Sequence, residues 1–127
     1  MNLKMDAIKD LENEHPIASH WRPIIQLAVD AFSRGDFGLS TPIENIQPVP
    51  VDIALANKSY VADYGEVLIS LPEETWETSC AQWMGDYWQI IVDLYTEDEG
   101  RSDLVLNGRV MEKDGNISIE IGLIYVP

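Results

Sequence analysis

Residues 96–103, Thr-Glu-Asp-Glu-Gly-Arg-Ser-Asp, set four carboxylates, Glu97, Asp98, Glu99 and Asp103, around one glycine and one arginine. Such a loop can hold a cation, move protons or present charge to another molecule. A calcium loop of the EF-hand kind needs oxygen ligands at alternate positions, glycine at the sixth and a carboxylate at the twelfth. With Gly100 as the sixth residue, Tyr95 falls first and Leu106 twelfth, and neither can serve. A carboxylate pair that hydrolyses a glycoside must face a cleft with its groups roughly 5–9.5 Å apart. Presenting charge requires only exposure.

Other residues with reactive potential are few. His15 and His20 are the two histidines and Cys80 the single cysteine. Five residues apart, the histidines do not share a helical face as a zinc pair at i and i+4 would, and there is no Cys/His cluster to complete a site. A nucleophile at Cys80, or at a serine relayed through His20, depends on partners that meet only in space. No G-x-S-x-G surrounds Ser70, Ser79 or Ser102, and "SRGDFG" has neither the lysine of a P-loop nor the spacing of a dinucleotide fingerprint. No cofactor or metal is expected. One cysteine rules out an internal disulfide and suits a reducing compartment.

Charge is the strongest compositional signal. The chain carries 22 acidic and 8 basic side chains, a net charge of −14. Residues 1–59 hold 8 acids against 5 bases, or −3, and residues 60–127 hold 14 against 3, or −11. That field repels nucleic-acid phosphates and anionic lipids, whose binding relies on Lys and Arg. It speeds encounter with a basic partner. It also maintains solubility, which accounts for many acidic domains without a partner. No apolar run approaches the ~20 residues that span a bilayer, and "MNLKMDAIKD" lacks the order of a signal peptide. The expected location is the cytoplasm.

The elements that must position these groups follow from periodicity. At 127 residues the chain fits one domain, residues 1–127, with one core. Met5, Ile8 and Leu11 give residues 2–14 a weak helical pattern, ended by His15-Pro16. Trp21, Ile24, Ile25, Ala28, Val29 and Phe32 form a clear apolar stripe, predicting a helix from near Trp21 to near Gly35. Residues 35–50, with three prolines, read as an irregular connection. Pro50 and Asp52 open a second helix with Val51, Ala54, Leu55, Val61 and Ala62 inward and Gly65 past its end. "EVLISL" at 66–71 reads as a strand. Ser70 and Glu73 have capping-box spacing, and Glu73 and Glu74 suit a helix N-terminus. The stripe Trp76, Cys80, Trp83 predicts a third helix stopped by Gly85, with Cys80 a small core residue.

From Tyr87 the period becomes two. Trp88, Ile90, Val92 and Leu94, then Leu104, Leu106, Gly108 and Val110, then Ile117, Ile119, Ile121, Leu123 and Tyr125 mark the faces of three strands. They are joined by "TEDEGRS" and by "KDGN", whose Asp-Gly is a hairpin signal. The fold class is therefore α+β: N-terminal helices on one face of a mainly antiparallel sheet that ends in a three-stranded meander. In that fold the acidic loop is a hairpin turn, with Gly100 left-handed. As plain structure the loop is a solvated turn; as a site, its acids join Asp86, Glu73, Glu74 and Glu77 in an acidic surface edged by Tyr87, Tyr95 and tryptophans, a composition common at interface hot spots.

The stretches "HWRPIIQLAVDAF" at 20–32, "YGEVLISLP" at 64–72, "WQIIVDLYTEDEGRSDLVL" at 88–106 and the ending "IYVP" resemble small bacterial proteins of the immunity type, encoded beside contact-dependent growth inhibition or other polymorphic toxins. The resemblance implies a non-enzymatic cytoplasmic protein that binds a delivered toxin domain, often a nuclease, and blocks its active site or substrate surface. It carries over no individual binding residue. The expected contacts, taken from the charge pattern, are Glu97, Asp98, Glu99 and Asp103, with Glu73, Glu74 and Glu77 in support. The rival readings are a small hydrolase or transferase using His20 or Cys80, and an acidic adaptor for some other basic protein.

Overall fold

The computed structural model describes residues 6–127. After a 3-10 turn at Ser19–Trp21 come α1 (Arg22–Ser33) and α2 (Val51–Tyr64), a second 3-10 turn at Glu73–Glu77, and four strands, β1 (Cys80–Trp83), β2 (Trp88–Thr96), β3 (Gly100–Lys113) and β4 (Asn116–Tyr125). The strands form one antiparallel sheet in the order β1-β2-β3-β4. The α+β class and the C-terminal meander are as the periodicity predicts. Among the described residues, no helix is long and apolar enough to cross a membrane.

The stripe on α1 becomes its buried face. Ile25, Ala28, Val29 and Phe32 are buried with Trp88, Ile90, Val92 and Leu94 of β2, Leu104, Leu106 and Val110 of β3, and Ile119, Ile121 and Ile124 of β4. Each fully buried large aliphatic or phenyl side chain here is worth roughly 1.5–3 kcal/mol. Trp21, just before α1, meets Trp88 edge-on with centroids 5.1 Å apart. Pro23 lies in the first turn, where its missing N–H breaks no helical bond.

Several expectations are corrected. Residues 6–14 are not helical, and residues 2–5 of the expected first helix lie outside the described residues. Asp10 instead captures the N–H groups of Glu12 and Asn13 in a local turn, while the carbonyls of Ile8 and Asp10 accept from Trp88 and Gln82. On α2, Gly65 ends the helix at φ 87° as predicted, but Val51, Leu55 and Ala62 are exposed and the buried residues are Asn57 and Val61. α2 packs on the core through Val61, Ala54 and Tyr64 and is tied to β4 by the side chain of Asn57.

"EVLISL" supplies a single bridge, Leu68 to Thr96, rather than a strand. The third helix is replaced by the 3-10 turn at Glu73–Glu77 and by β1. The buried hydroxyls of Thr75 and Ser79 bond to the main chain of Asp93, which fixes this turn against β2 just before β1 begins at Cys80. Cys80 then faces Ile91 on the outer side of the sheet, half-buried and outside the main core, while Trp83 pairs with Trp88.

β4 also changes phase. Leu106 pairs with Ile124 but Gly108 with Ile121, so an irregularity lies opposite Asn107. Ile119 and Ile121 point inward, yet beyond the irregularity Ile124 is buried while Leu123 is exposed and Tyr125 half-buried, the reverse of the alternation expected. Both sheet edges are occupied. His15 exchanges backbone bonds with Ala81 on β1, and Asn45 and Gln47 bond to the backbone of Ile119 on β4, which leaves little free edge for another strand.

Candidate acidic partner-binding surface

The β2–β3 hairpin turns at Glu97, Asp98 and Glu99, and Gly100 begins β3 at φ 71°, a left-handed conformation for which glycine carries no Cβ penalty. Backbone bonds from Glu97 to Val67 and from Ile69 to Tyr95 hold the base of the hairpin against the 67–69 segment. The turn therefore projects from a fixed support.

Its four carboxylates do not have equal roles. The Tyr64 hydroxyl donates to both oxygens of Glu99, at 2.9 and 3.1 Å, and Thr96 donates to Glu99 at 3.1 Å. Glu99 thus ties the turn to the end of α2. The Asp103 N–H donates to the Tyr64 oxygen at 3.2 Å. That bond lowers the Tyr64 pKa, but burial and the carboxylates of Glu99 and Asp103 outweigh it, and the phenol ends above its ordinary value. Glu97 and Asp98 are exposed at the tip, with no side-chain hydrogen bond or ion pair.

The other three acids lie on the 3-10 turn. Glu73 accepts a hydrogen bond from Gln26 of α1 at 3.3 Å. Glu74 and Glu77 line an open cleft of about 470 Å³ with Tyr95, Gly100, Arg101 and Ile69. Glu74 and Glu77 thus lie beside the base of the hairpin. Burial, followed by the charge of Glu74, raises the phenol of Tyr95 at its wall. Asp86 is not part of this surface, because it lies beyond the opposite end of β2, about 25 Å away along the strand.

Tyr64, Arg101 and Ile69 were not singled out by sequence reasoning. Tyr64 is 35 residues from Glu99 along the chain, and no local pattern links them. Arg101 walls the cleft beside Tyr95.

The residues of the rival reading are placed differently. His20 is exposed and meets Trp21 edge-on at 5.7 Å. His15 bonds to Asp10 at 2.9 Å, and this contact, with the two turn N–H groups, holds the Asp10 carboxyl well below the usual carboxylate range. Burial, then the Glu14 carboxylate, pushes the Cys80 thiol up to about 11. A nucleophilic cysteine needs the opposite shift.

A family model described as Domain of unknown function (DUF7668) matches residues 29–127. The chain belongs to that family. The DUF7668 region spans the C-terminal end of α1, all of α2 and the whole sheet, so the hairpin, the 3-10 turn and the cleft between them are all parts of the family domain. Residues 6–28 precede it. No curated protein and no solved structure matches the chain.

Proposed function

We propose that the chain is a non-enzymatic binding protein that neutralises a basic toxin domain by covering its active site or substrate surface. The observation that supports this is the unspent charge. Against a net charge of −14, the described residues form just two ion pairs, Lys9–Glu112 and His15–Asp10. The remaining carboxylates direct their field outward, and the C-terminal half holds most of them. A nuclease shows a positive surface to phosphate, so an acidic competitor is steered to that same surface. The resemblance to immunity proteins of polymorphic toxin systems supplies the class of partner, and the cytoplasm of the producing cell is where such a protein acts.

Within the proposed surface, Glu97, Asp98, Asp103, Glu74 and Glu77 are the contact residues, since no internal hydrogen bond or ion pair engages their carboxylates. Tyr95 and Arg101 between them supply the aromatic and guanidinium anchors that dominate many interfaces. Glu99 and Glu73, whose carboxylates accept internal hydrogen bonds, contribute charge and support. The Cys80 thiol is shifted away from nucleophilic use, which weighs against the hydrolase reading.

The test is an affinity capture with tagged full-length protein from its native producer, followed by expression of the captured partner with and without this chain. A partner that arrests growth alone and is harmless in the presence of the chain is the expected result. A partner that is harmless by itself, or whose toxicity is unchanged, would reject the immunity function.

A further inference from the structure

Far from the acidic hairpin, residues 8–10 lie across the end of the sheet. Trp83 of β1 and Trp88 of β2 stand with ring centroids 4.6 Å apart at 55°. The Lys9 ammonium sits over both, 5.1 Å from the Trp83 ring centroid and 5.8 Å from that of Trp88. It is also 3.8 Å from a carboxylate oxygen of Glu112 on β3. Two indole faces and a carboxylate are a suitable environment for an alkylammonium ion.

The main chain on either side of Lys9 is read as well. The Trp88 indole N–H donates to the carbonyl of Ile8 at 3.0 Å, and the Gln82 side-chain amide donates to that of Asp10 at 2.9 Å. The apolar side chains of the segment contribute little, since Ile8 is 45% and Leu11 68% exposed. Residues 8–10 meet the sheet through one ammonium and two backbone carbonyls placed two residues apart, while the Asp10 carboxylate bonds back to His15 at 2.9 Å within the same N-terminal segment and Ala7 packs on the core. Backbone contacts for affinity and one side-chain pocket for specificity are how peptide-binding surfaces work.

We propose that Trp83, Trp88, Gln82 and Glu112 form a recognition site for a lysine in an extended peptide, and that this chain's own residues 8–10 occupy it as an internal ligand. The cover is hinged before His15, whose backbone bonds to Ala81 secure the chain beyond that point. A lysine-bearing segment of another protein enters by displacing residues 8–10. The internal ligand competes at the high effective concentration that tethering provides, so the site is closed to weak ligands and open to a partner that docks elsewhere as well.

The experiment uses the full-length chain with Lys9→Gln and Lys9→Arg. The readouts are the solvent exchange and chemical shift of the Trp88 indole N–H and acrylamide quenching of tryptophan fluorescence. Lys9→Gln should raise exchange by roughly two- to five-fold, the range expected from losing a cation–π contact at an exposed site, and Lys9→Arg should not. A capped synthetic peptide of residues 6–12 should then shift the Trp88 indole resonance of the Lys9→Gln chain further than that of the unaltered chain. The same peptide with norleucine for lysine should bind roughly two- to five-fold more weakly. Equal exchange in all three chains, or equal binding of the lysine and norleucine peptides, would overturn the proposal. No toxin is present in this assay, so its outcome is independent of the immunity function.

Discussion

The side chain of Asn57, in the middle of α2, is bonded to the backbone on both sides of Leu123 in β4. Its amide donates to the Gly122 carbonyl at 3.0 Å and its oxygen accepts from the Ile124 N–H at 2.8 Å. Asn57 is completely buried. It thereby satisfies two main-chain groups of β4 at the point where the strand reverses its facing. Asn57→Ala removes both bonds and leaves a buried donor and acceptor without partners, at about 1–3 kcal/mol each. We expect a loss of about 2–4 kcal/mol in urea unfolding, with an unchanged m-value. Asn57→Asp should be at least as costly, because the donor is lost and a charge is buried.

This clasp also marks where the sequence stops being legible. The β2 and β3 faces could be read directly, since Trp88 to Leu94 and Leu104 to Val110 alternate without interruption. On β4 the same alternation puts Leu123 and Tyr125 inward, which fails because the pairing slips between Leu106 and Gly108. The stripe Trp76, Cys80, Trp83 fits a helix by spacing alone. It is overridden by long-range pairing with β2, which a short apolar pattern cannot reveal. On α2 the ends were correct and the buried face only in part, because Ala54 and Val61 do pack on the core but the contact is centred on the polar Asn57, which no apolar pattern marks. At the acidic surface, which carboxylates are free and which are engaged depends on Tyr64 and Gln26, both remote in sequence.

The irregularity in β4 also depends on Gly122. A Cβ at that position would lie 2.7 Å from the Asn107 carbonyl oxygen, and one at Gly108 would lie 2.9 Å from that of Glu120. Both obstacles are backbone, so neither can turn aside. Gly122→Ala and Gly108→Ala should each cost about 1–3 kcal/mol, in the range of overpacked cores. The Gly122 change should also disturb the amide signals of Asn107 and Ile124. A Gly38→Ala control, whose nearest contact is an ordinary 3.8 Å to Ala54, should leave those signals in place.

Cys80 gives a prediction with a definite pH window. Its thiol rises from an ordinary value of 9.0 to about 11 through burial and the Glu14 carboxylate. A raised folded-state value favours the protonated form, so the contribution to stability is fully present below about pH 9 and is lost as pH rises through about 11. At pH 8 the thiolate fraction should be about 100-fold below that of a free thiol, and alkylation by iodoacetamide correspondingly slow. Unfolding in urea should restore the ordinary rate. Rapid alkylation of the folded chain would contradict the environment described for β1.

The hairpin acids separate support from contact. Glu97→Lys with Asp98→Lys changes two exposed carboxylates that bond to nothing within the chain, so stability should move by no more than about 0.5 kcal/mol. Glu99→Lys, by contrast, removes the acceptor of Tyr64 and Thr96 and should loosen the turn, seen as faster exchange of the Asp103 amide, whose N–H bonds to Tyr64. With a basic partner in hand, the double charge reversal should slow association and flatten its dependence on salt while leaving dissociation nearly unchanged, because rim charges act mainly on encounter. Altered dissociation without altered association would mean that Glu97 and Asp98 form close contacts instead of steering. If neither rate changes, the tip of the hairpin lies outside the interface, and Glu74 and Glu77 in the cleft become the residues to reverse.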